Sequence, residues 1–423
     1  MLLFAGGGVP DPVEKLLSQA EQAYRQGEEH YRAGRHEEAR AEFDRAVDLL
    51  LSSRWAVRDD PRLSSGLDSL VERIHQLEVE SSRAGISSNG RDEPTDVPAP
   101  IEEIPSLTFP PDPALRAKLE QELTTLTHDL PIELNERVLS AVNFFQTTRG
   151  RRILENGYRR AGRYRDMITS VLREEGLPSD LIYVAQAESA FQPNARSYKR
   201  AVGLWQFVAF RGQEYGLQVD WWIDERRDPV KSTRAAARHL RDLYQQFGDW
   251  YLVMAAYNCG PGCVARAQER GGTNYWEMVE RRLLPRQTRN YVPIILAVTL
   301  MAKEPERYGI AVEPDPPVQY EAVSVTKPVD LRTVAEALGV EADLLRDLNP
   351  HVLRGVTPPN RDDFTLYVPA GMGETLRAEL SKLPEAKRVL WARHQVRRGD
   401  TLSKIALRYG ASASAVADRK SVV

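Results

Sequence analysis

Seven prolines fall between positions 94 and 113: Pro94, Pro98, Pro100, Pro105, Pro110, Pro111 and Pro113. Proline has no backbone N–H and a fixed φ, so neither a helix nor a central strand can run through such a stretch. Residues 84–113 are therefore predicted to be an extended, semi-stiff linker. The chain must be built as separate bodies on either side of it. At roughly 100–200 residues per domain, 423 residues predict two to four domains.

N-terminal to the linker, residues 11–83 pattern as helices. Tyr24, Gly27, Tyr31, Gly34, Ala39, Phe43 and Ala46 follow a helix–turn–helix spacing similar to one tetratricopeptide unit. A single unit cannot bury its own face, so a helical hairpin is expected here and a repeat array is not. Beyond the linker, residues 114–309 return to helical periodicity. Helices are predicted over 135–147, 163–175, 179–189, 232–247, 250–258 and 291–303. Gly248 suits a helix C-terminus, and Pro293 is read as lying near a helix start, where proline is tolerated. Nearly 200 residues are enough for a sizeable all-α core. From about residue 316 the pattern changes. Residues 320–325 alternate like a strand, 329–338 and 344–349 read as helices, and 365–368 alternate again, which makes a compact β-α-α-β unit over 316–371. A second start of the same kind begins at residue 394.

The composition excludes some classes. A net charge of −3 gives no electrostatic case for nucleic acid as a partner. No apolar run approaches the ~20 residues of a spanning helix. The start, MLLFAGGGVP, has an apolar tetrad without a basic region, as in the clipped end of a signal peptide or a misplaced start. No P-loop, GxSxG or HExxH motif occurs. The two cysteines, Cys259 and Cys263, are too few for a disulfide framework and lack the His or acid partners of a zinc site. They read as packed thiols, with a local disulfide as the alternative in an oxidising compartment. Neither a metal nor a cofactor is expected.

The sharpest segment is LPSDLIYVAQAESAF, residues 177–191. Ser179 is a good N-cap after Pro178. Leu181, Val184, Ala185 and Glu188 share one helical face, so Glu188 is predicted to lie on the core-facing stripe in the last turn. Burial and the negative end of the helix dipole both disfavour a charged carboxyl there. A carboxyl that keeps its proton is what a general acid for a glycosidic oxygen requires. The same placement also fits a carboxylate paired with an arginine. Further segments add to the pattern: Gly203–Phe207 sets an amide between two aromatics, as a sugar site would. Ala256–Gly262 ends a helix in a glycine-rich turn carrying a phenol and an amide, and Arg289–Pro293 brings a second tyrosine. The arginine runs 151–152 and 159–163 read as exposed helix faces.

Taken together, Glu188-Ser189-Ala190-Phe191, Gly203-Leu204-Trp205-Gln206-Phe207, Ala256-Tyr257-Asn258-Cys259-Gly260-Pro261-Gly262 and Asn290-Tyr291-Val292-Pro293 resemble the signature segments of lytic transglycosylases with a goose-lysozyme-like fold, of the soluble and membrane-bound D types. Residues 224–229 and 232–236 also resemble that type. The resemblance spans about 130–309. It implies a mainly α protein with a lysozyme-like catalytic domain. It further implies that Glu188 is the sole acid/base, cleaving peptidoglycan between N-acetylmuramic acid and N-acetylglucosamine to leave a 1,6-anhydro end. Ser189, Gln206, Tyr257, Asn258 and Tyr291 would position substrate, with Tyr291 close to Glu188. The implied partner is the peptidoglycan glycan strand, in the periplasm or cell envelope, with the membrane involved only through a lost signal or lipid anchor. Where such enzymes commonly continue with Met-Pro, a small residue and Thr, this chain has Val208-Ala209-Phe210-Arg211, which bears on subsite fit. Residues 394–410 resemble the start of a LysM glycan-binding module that is truncated over 394–423, and 316–371 resemble a divergent one. A hydrolytic lysozyme of the same fold would need a second carboxylate, such as Asp224 or Asp249. A non-catalytic wall-binding protein is the third reading.

Overall fold

The computed structural model describes residues 11–33, 35–51, isolated positions between 62 and 73, 97–99, and 113–384 apart from 198, 221, 359, 360 and 362. The truncated second module over 394–423 lies outside the described residues. The chain is mainly α-helical and divides into two compact units at residues 318 and 319.

In the first unit, α1 (Pro12–Arg32) and α2 (His36–Leu51) form a hairpin. Asp11 caps α1 through the Val13 N–H, and Pro12 takes the first helical position, where its missing donor costs nothing. Tyr24 packs on Phe43 with ring centroids 5.5 Å apart. Gly27 admits that ring, since a Cβ there would lie 2.5 Å from Phe43 Cδ1. Arg73 stacks 3.9 Å over the Tyr24 ring and also binds the Glu21 carboxylate.

The larger body follows as α3 (Pro113–Leu123), α4 (Glu136–Gln146), α5 (Thr148–Glu174), α6 (Ile182–Ser189), α7 (Ala209–Glu214), α8 (Pro229–Phe247), α9 (Trp250–Cys259), α10 (Pro261–Glu269), α11 (Tyr275–Glu280) and α12 (Arg286–Lys303). Helix α12 is the axis of this body. It is buried on every side from Tyr291 to Ala302, and α4, α6 and α9 pack around it. Gly248 closes α8 with a φ of 65°, the left-handed cap expected of it.

Local readings were changed by tertiary context in four places. Ser179 does not cap the helix that follows. Asp129, from fifty residues earlier, accepts the Ser179 and Asp180 N–H groups at 2.6 and 2.9 Å, and Asp180 returns a bond to the Asp129 N–H. A distant carboxylate satisfies the orphan donors better than the local hydroxyl. Glu188 does not sit on one apolar stripe, because α6 is buried on all sides. Pro293 lies inside α12 and not near its start, because the helix begins at Arg286. The linker is not wholly detached from the body. Val97–Pro98 (β1) pairs in parallel with Ala195–Arg196 (β2), and Ala99 is fully buried in the same core.

The second unit holds β3 (Tyr320–Val325) antiparallel to β4 (Phe364–Pro369), with α13 (Leu331–Leu338) and α14 (Ala342–Leu348) between them. Asn349 locks the end of α14 to β4. Its amide donates to the Leu345 and Tyr367 carbonyls and accepts the Tyr367 N–H. The β-α-α-β order is the expected one. A further helix, α15 (Gly373–Lys382), lies just beyond the predicted boundary and is tied back through Gly373 N–H to Glu321 of β3 at 2.9 Å.

Candidate active site

Glu188 occupies the last turn of α6 and is 7% exposed. The chain leaves this turn sharply, with Ala190 at φ 48° and Phe191 at φ 58°. Two successive non-glycine residues in the left-handed region cost on the order of 1–3 kcal/mol each and persist only where packing over-determines them. Here Phe191 is fully buried, and Arg160 Nε donates to the Ala190 carbonyl at 2.7 Å. Burial, and then the charge of Arg159, lowers the Arg160 guanidinium to about 10. Arg160 is therefore not the freely exposed residue its run suggested, because its charge end is drawn in to hold the turn after Glu188.

Across the site, Tyr291 Oη donates to Glu188 Oε1 at 2.6 Å. Tyr291 is fully buried, and its phenol is held well above the usual tyrosine range, first by burial and then by the Glu188 and Tyr257 charges. Tyr257 is shifted in the same direction by burial and by Glu188. Both phenols thus stay neutral and can donate, and Glu188, Tyr257 and Tyr291 form one electrostatic group. This brings together residues from three helices, with Tyr291 lying 103 positions from Glu188 in sequence.

The position of Tyr291 depends on a repair. Pro293 cannot donate to the carbonyl four residues earlier, that of Arg289. Tyr275, on α11, supplies the missing donor: its hydroxyl lies 3.1 Å from the Arg289 carbonyl and 3.0 Å from that of Thr288. Thr288 in turn donates through Oγ1 to Asn258 Oδ1 at 2.8 Å. Asn258 is thereby oriented, and among the described residues nothing accepts from its amide nitrogen.

The remaining expected residues converge on the 203–207 turn. Ser189 Oγ donates to the Leu204 carbonyl at 2.8 Å, and Tyr257 Oη to the Trp205 carbonyl at 2.7 Å. Gln206, itself at φ 49°, donates through Nε2 to the Gly203 and Ala195 carbonyls, while its Oε1 is buried without a hydrogen-bond partner. Gly203 is at φ 88°, and a Cβ there would lie 1.9 Å from the Arg226 carbonyl oxygen. Arg226 closes the turn from behind. It grips the Asp224 carboxylate at 2.8 and 2.7 Å and donates to the Arg200 and Phe207 carbonyls. Trp205 and Phe207 are not open sugar platforms. Trp205 is 0% exposed, and its indole N–H donates to Thr233 Oγ1, so this ring is floor and not surface.

The 256–262 turn contains Gly260 at φ 86°, followed by Pro261 at the start of α10. Cys259 and Cys263 are joined as a disulfide across this junction, with Cα atoms 5.9 Å apart. The packed-thiol reading is thus replaced by its alternative. A helix end and a helix start placed back to back bring the two side chains within reach. Among the described residues no cluster of metal-ligating side chains occurs.

Residues that sequence reading passed over include Asp129, Arg160, Tyr275 and Thr288. Of these only Tyr275 had a legible signal, since a proline inside a helical run implies an external donor.

Residues 167–277 match the transglycosylase SLT domain family. Residues 319–385 match the family described as lytic transglycosylase MltD, LysM-like domain, and residues 394–419 match the LysM domain. The chain is 34% identical over 270 residues to the membrane-bound lytic murein transglycosylase D of Escherichia coli strain K12, covering 60% of this chain and 59% of that protein. The same figures hold for the protein of that name in strain CFT073. It is 32% identical over 139 residues, 32% of this chain, to the peptidoglycan transglycosylase gp16 of Escherichia phage T7, of which that covers 10%. The chain thus spans less than two thirds of the length of these relatives. The chain itself carries a transglycosylase SLT domain followed by LysM-type domains.

Proposed function

We propose that the chain is a peptidoglycan lytic transglycosylase whose catalytic domain spans 114–309 and whose single acid/base is Glu188. The observation that carries this reading is the buried bond from Tyr291 to Glu188, 2.6 Å long. With Oε1 held by the phenol, the carboxyl exchanges its proton at Oε2. In the first half of the reaction Glu188 protonates the glycosidic oxygen between N-acetylmuramic acid and N-acetylglucosamine. In the second it takes the proton of the muramoyl 6-hydroxyl as that oxygen attacks C1, closing a 1,6-anhydro ring. The proton given up in the first half is regained in the second, and no water is consumed.

The surroundings support one carboxylate over two. Asp224 is engaged bidentately by Arg226, and Asp249 caps α9 through the Leu252 N–H at the end of that helix away from Tyr257 and Asn258. Neither is available to activate water as a hydrolytic lysozyme would require. Asn258 offers substrate a contact through its amide donor, while Ser189 and Tyr257 act by fixing the 203–207 turn, which the Gln206 amide braces from within. The β-α-α-β module, 316–371, would bind glycan strands. The Cys259–Cys263 disulfide and the relative named as membrane-bound both favour an oxidising envelope compartment.

The test is mass spectrometry of muropeptides released from purified peptidoglycan, with Glu188→Gln as control. Products ending in 1,6-anhydromuramic acid, absent with the variant, are expected. Reducing-end products would mean hydrolysis instead, and release of nothing by the wild type would mean a binding protein.

A further inference from the structure

Behind Tyr257 lies an array that the reaction outlined above does not use. His239 and Asp242 stand three residues apart on α8 and so share a face. Tyr215, just after α7, bridges them. Its hydroxyl donates to Asp242 Oδ2 at 3.0 Å and lies 3.0 Å from His239 Nδ1. The His239 ring, 4% exposed, sits between two phenols, with centroids 4.9 Å from Tyr215 and 5.3 Å from Tyr257. Phe207, of the turn that carries Gln206, packs 6.4 Å from both His239 and Tyr257.

The bond to Asp242 assigns the protons in this array. A phenol has one proton, and the Tyr215 proton goes to the Asp242 carboxylate. Toward His239 the phenol oxygen must therefore accept, so Nδ1 of His239 must carry a hydrogen. Burial, the bond to Asp242 and the nearby Asp242 and Glu214 charges hold the Tyr215 phenol above the usual tyrosine range, which keeps it protonated as this arrangement requires. An imidazole with no fixed bond could present either edge to the Tyr257 ring. The Asp242–Tyr215–His239 chain removes that freedom and fixes the plane against which Tyr257 packs.

We propose that His239 is a positioning residue: with Tyr215 and Asp242 it forms a hydrogen-bonded arm that sets the ring of Tyr257, and through it the Trp205 carbonyl and the turn facing Glu188. The proposal rests on the transglycosylase reading for its consequence, but not for its geometry.

The test uses the full chain with Tyr215→Phe, His239→Phe and the double variant. Each substitution keeps a ring and removes the bond. Turnover is measured on soluble glycan strands, together with the thermal midpoint. Each single variant is expected to lose about tenfold in kcat with KM within about twofold of wild type, since small misplacements at a reacting centre act on the chemical step. The double variant is expected to be no slower than the slower single. Folded variants with kcat within about twofold of wild type, or losses that multiply in the double, would overturn the arm. If His239→Phe does not fold, Tyr215→Phe, at a half-buried ring, carries the test. A second readout is independent of activity: ¹⁵N NMR of the histidine rings should show His239 protonated at Nδ1 in the wild type and released from that tautomer in Tyr215→Phe. A neutral ring protonated at Nε2 in the wild type would refute the arm even if the enzyme were active. An inert wild type with the Nδ1 tautomer in place would count against the transglycosylase reading and leave the arm standing.

Discussion

The hydroxyl of Tyr275 lies 3.1 Å from the carbonyl of Arg289, the acceptor that Pro293 cannot serve. A side chain from α11 thus completes the hydrogen bonding of α12 two residues from Tyr291. Removing it with Tyr275→Phe leaves a buried carbonyl unsatisfied and should cost about 1–3 kcal/mol. Pro293→Ala restores an N–H at position 293 and should recover part of that loss in the double variant. Urea denaturation of the four proteins in the cycle measures the coupling, and simple additivity would mean that the two donors do not share an acceptor.

Gly203 is held at φ 88° with the Arg226 carbonyl oxygen where a Cβ would be, 1.9 Å away. Gly203→Ala therefore meets backbone that cannot swing aside, in a conformation that L residues avoid. A loss of roughly 3 kcal/mol or more is expected, from strain and overpacking together. The bond from Arg226 to Phe207 should be lost with it, and with that bond the turn that carries Gln206. Thermal melts and muropeptide release would both report the loss, and a variant matching wild type in each would show that the turn tolerates a shift.

The buried phenols give an alkaline limit. Tyr257 and Tyr291 have folded pKa values well above 10.0, while unfolded tyrosines titrate near 10. Above pH 10 the unfolded chain therefore releases protons that the folded chain retains. Stability contributed by keeping these groups neutral is complete below pH 10 and falls as pH rises toward the folded values. Each phenol contributes a slope of up to about 1.4 kcal/mol per pH unit. Urea midpoints measured from pH 9 to 11 should fall, and Tyr291→Phe should flatten the fall. An unchanged slope in that variant would mean that Tyr291 is not a buried neutral phenol.

The Cys259–Cys263 bridge closes a very short loop. On the chain-entropy account such a loop contributes about 2 kcal/mol. Reduction, or the Cys259→Ala/Cys263→Ala pair, should lower the thermal midpoint modestly and leave the protein folded. Asn258 remains tied to Thr288 in either state, so the loss in turnover should be smaller than for Tyr275→Phe. Complete unfolding on reduction would contradict this.

The sequence by itself determined the helical class of residues 114–309, the β-α-α-β order after residue 316, and the residue types at the site. It could do so because periodicity, glycine caps and short segments are local properties. Gly248 is where local chemistry asks for it. What the tertiary structure alone decided is which groups satisfy one another across long distances. Asp129 caps a helix that Ser179 was expected to cap. Tyr275 serves a carbonyl that proline abandoned, and Arg226 closes a turn from a separate segment. For Glu188 the resemblance implied Tyr291 nearby, but only the packed chain brings that phenol, 103 residues away in sequence, to Oε1 at 2.6 Å. Burial makes every donor and acceptor seek a partner, but only the packed chain determines which one is within 3 Å.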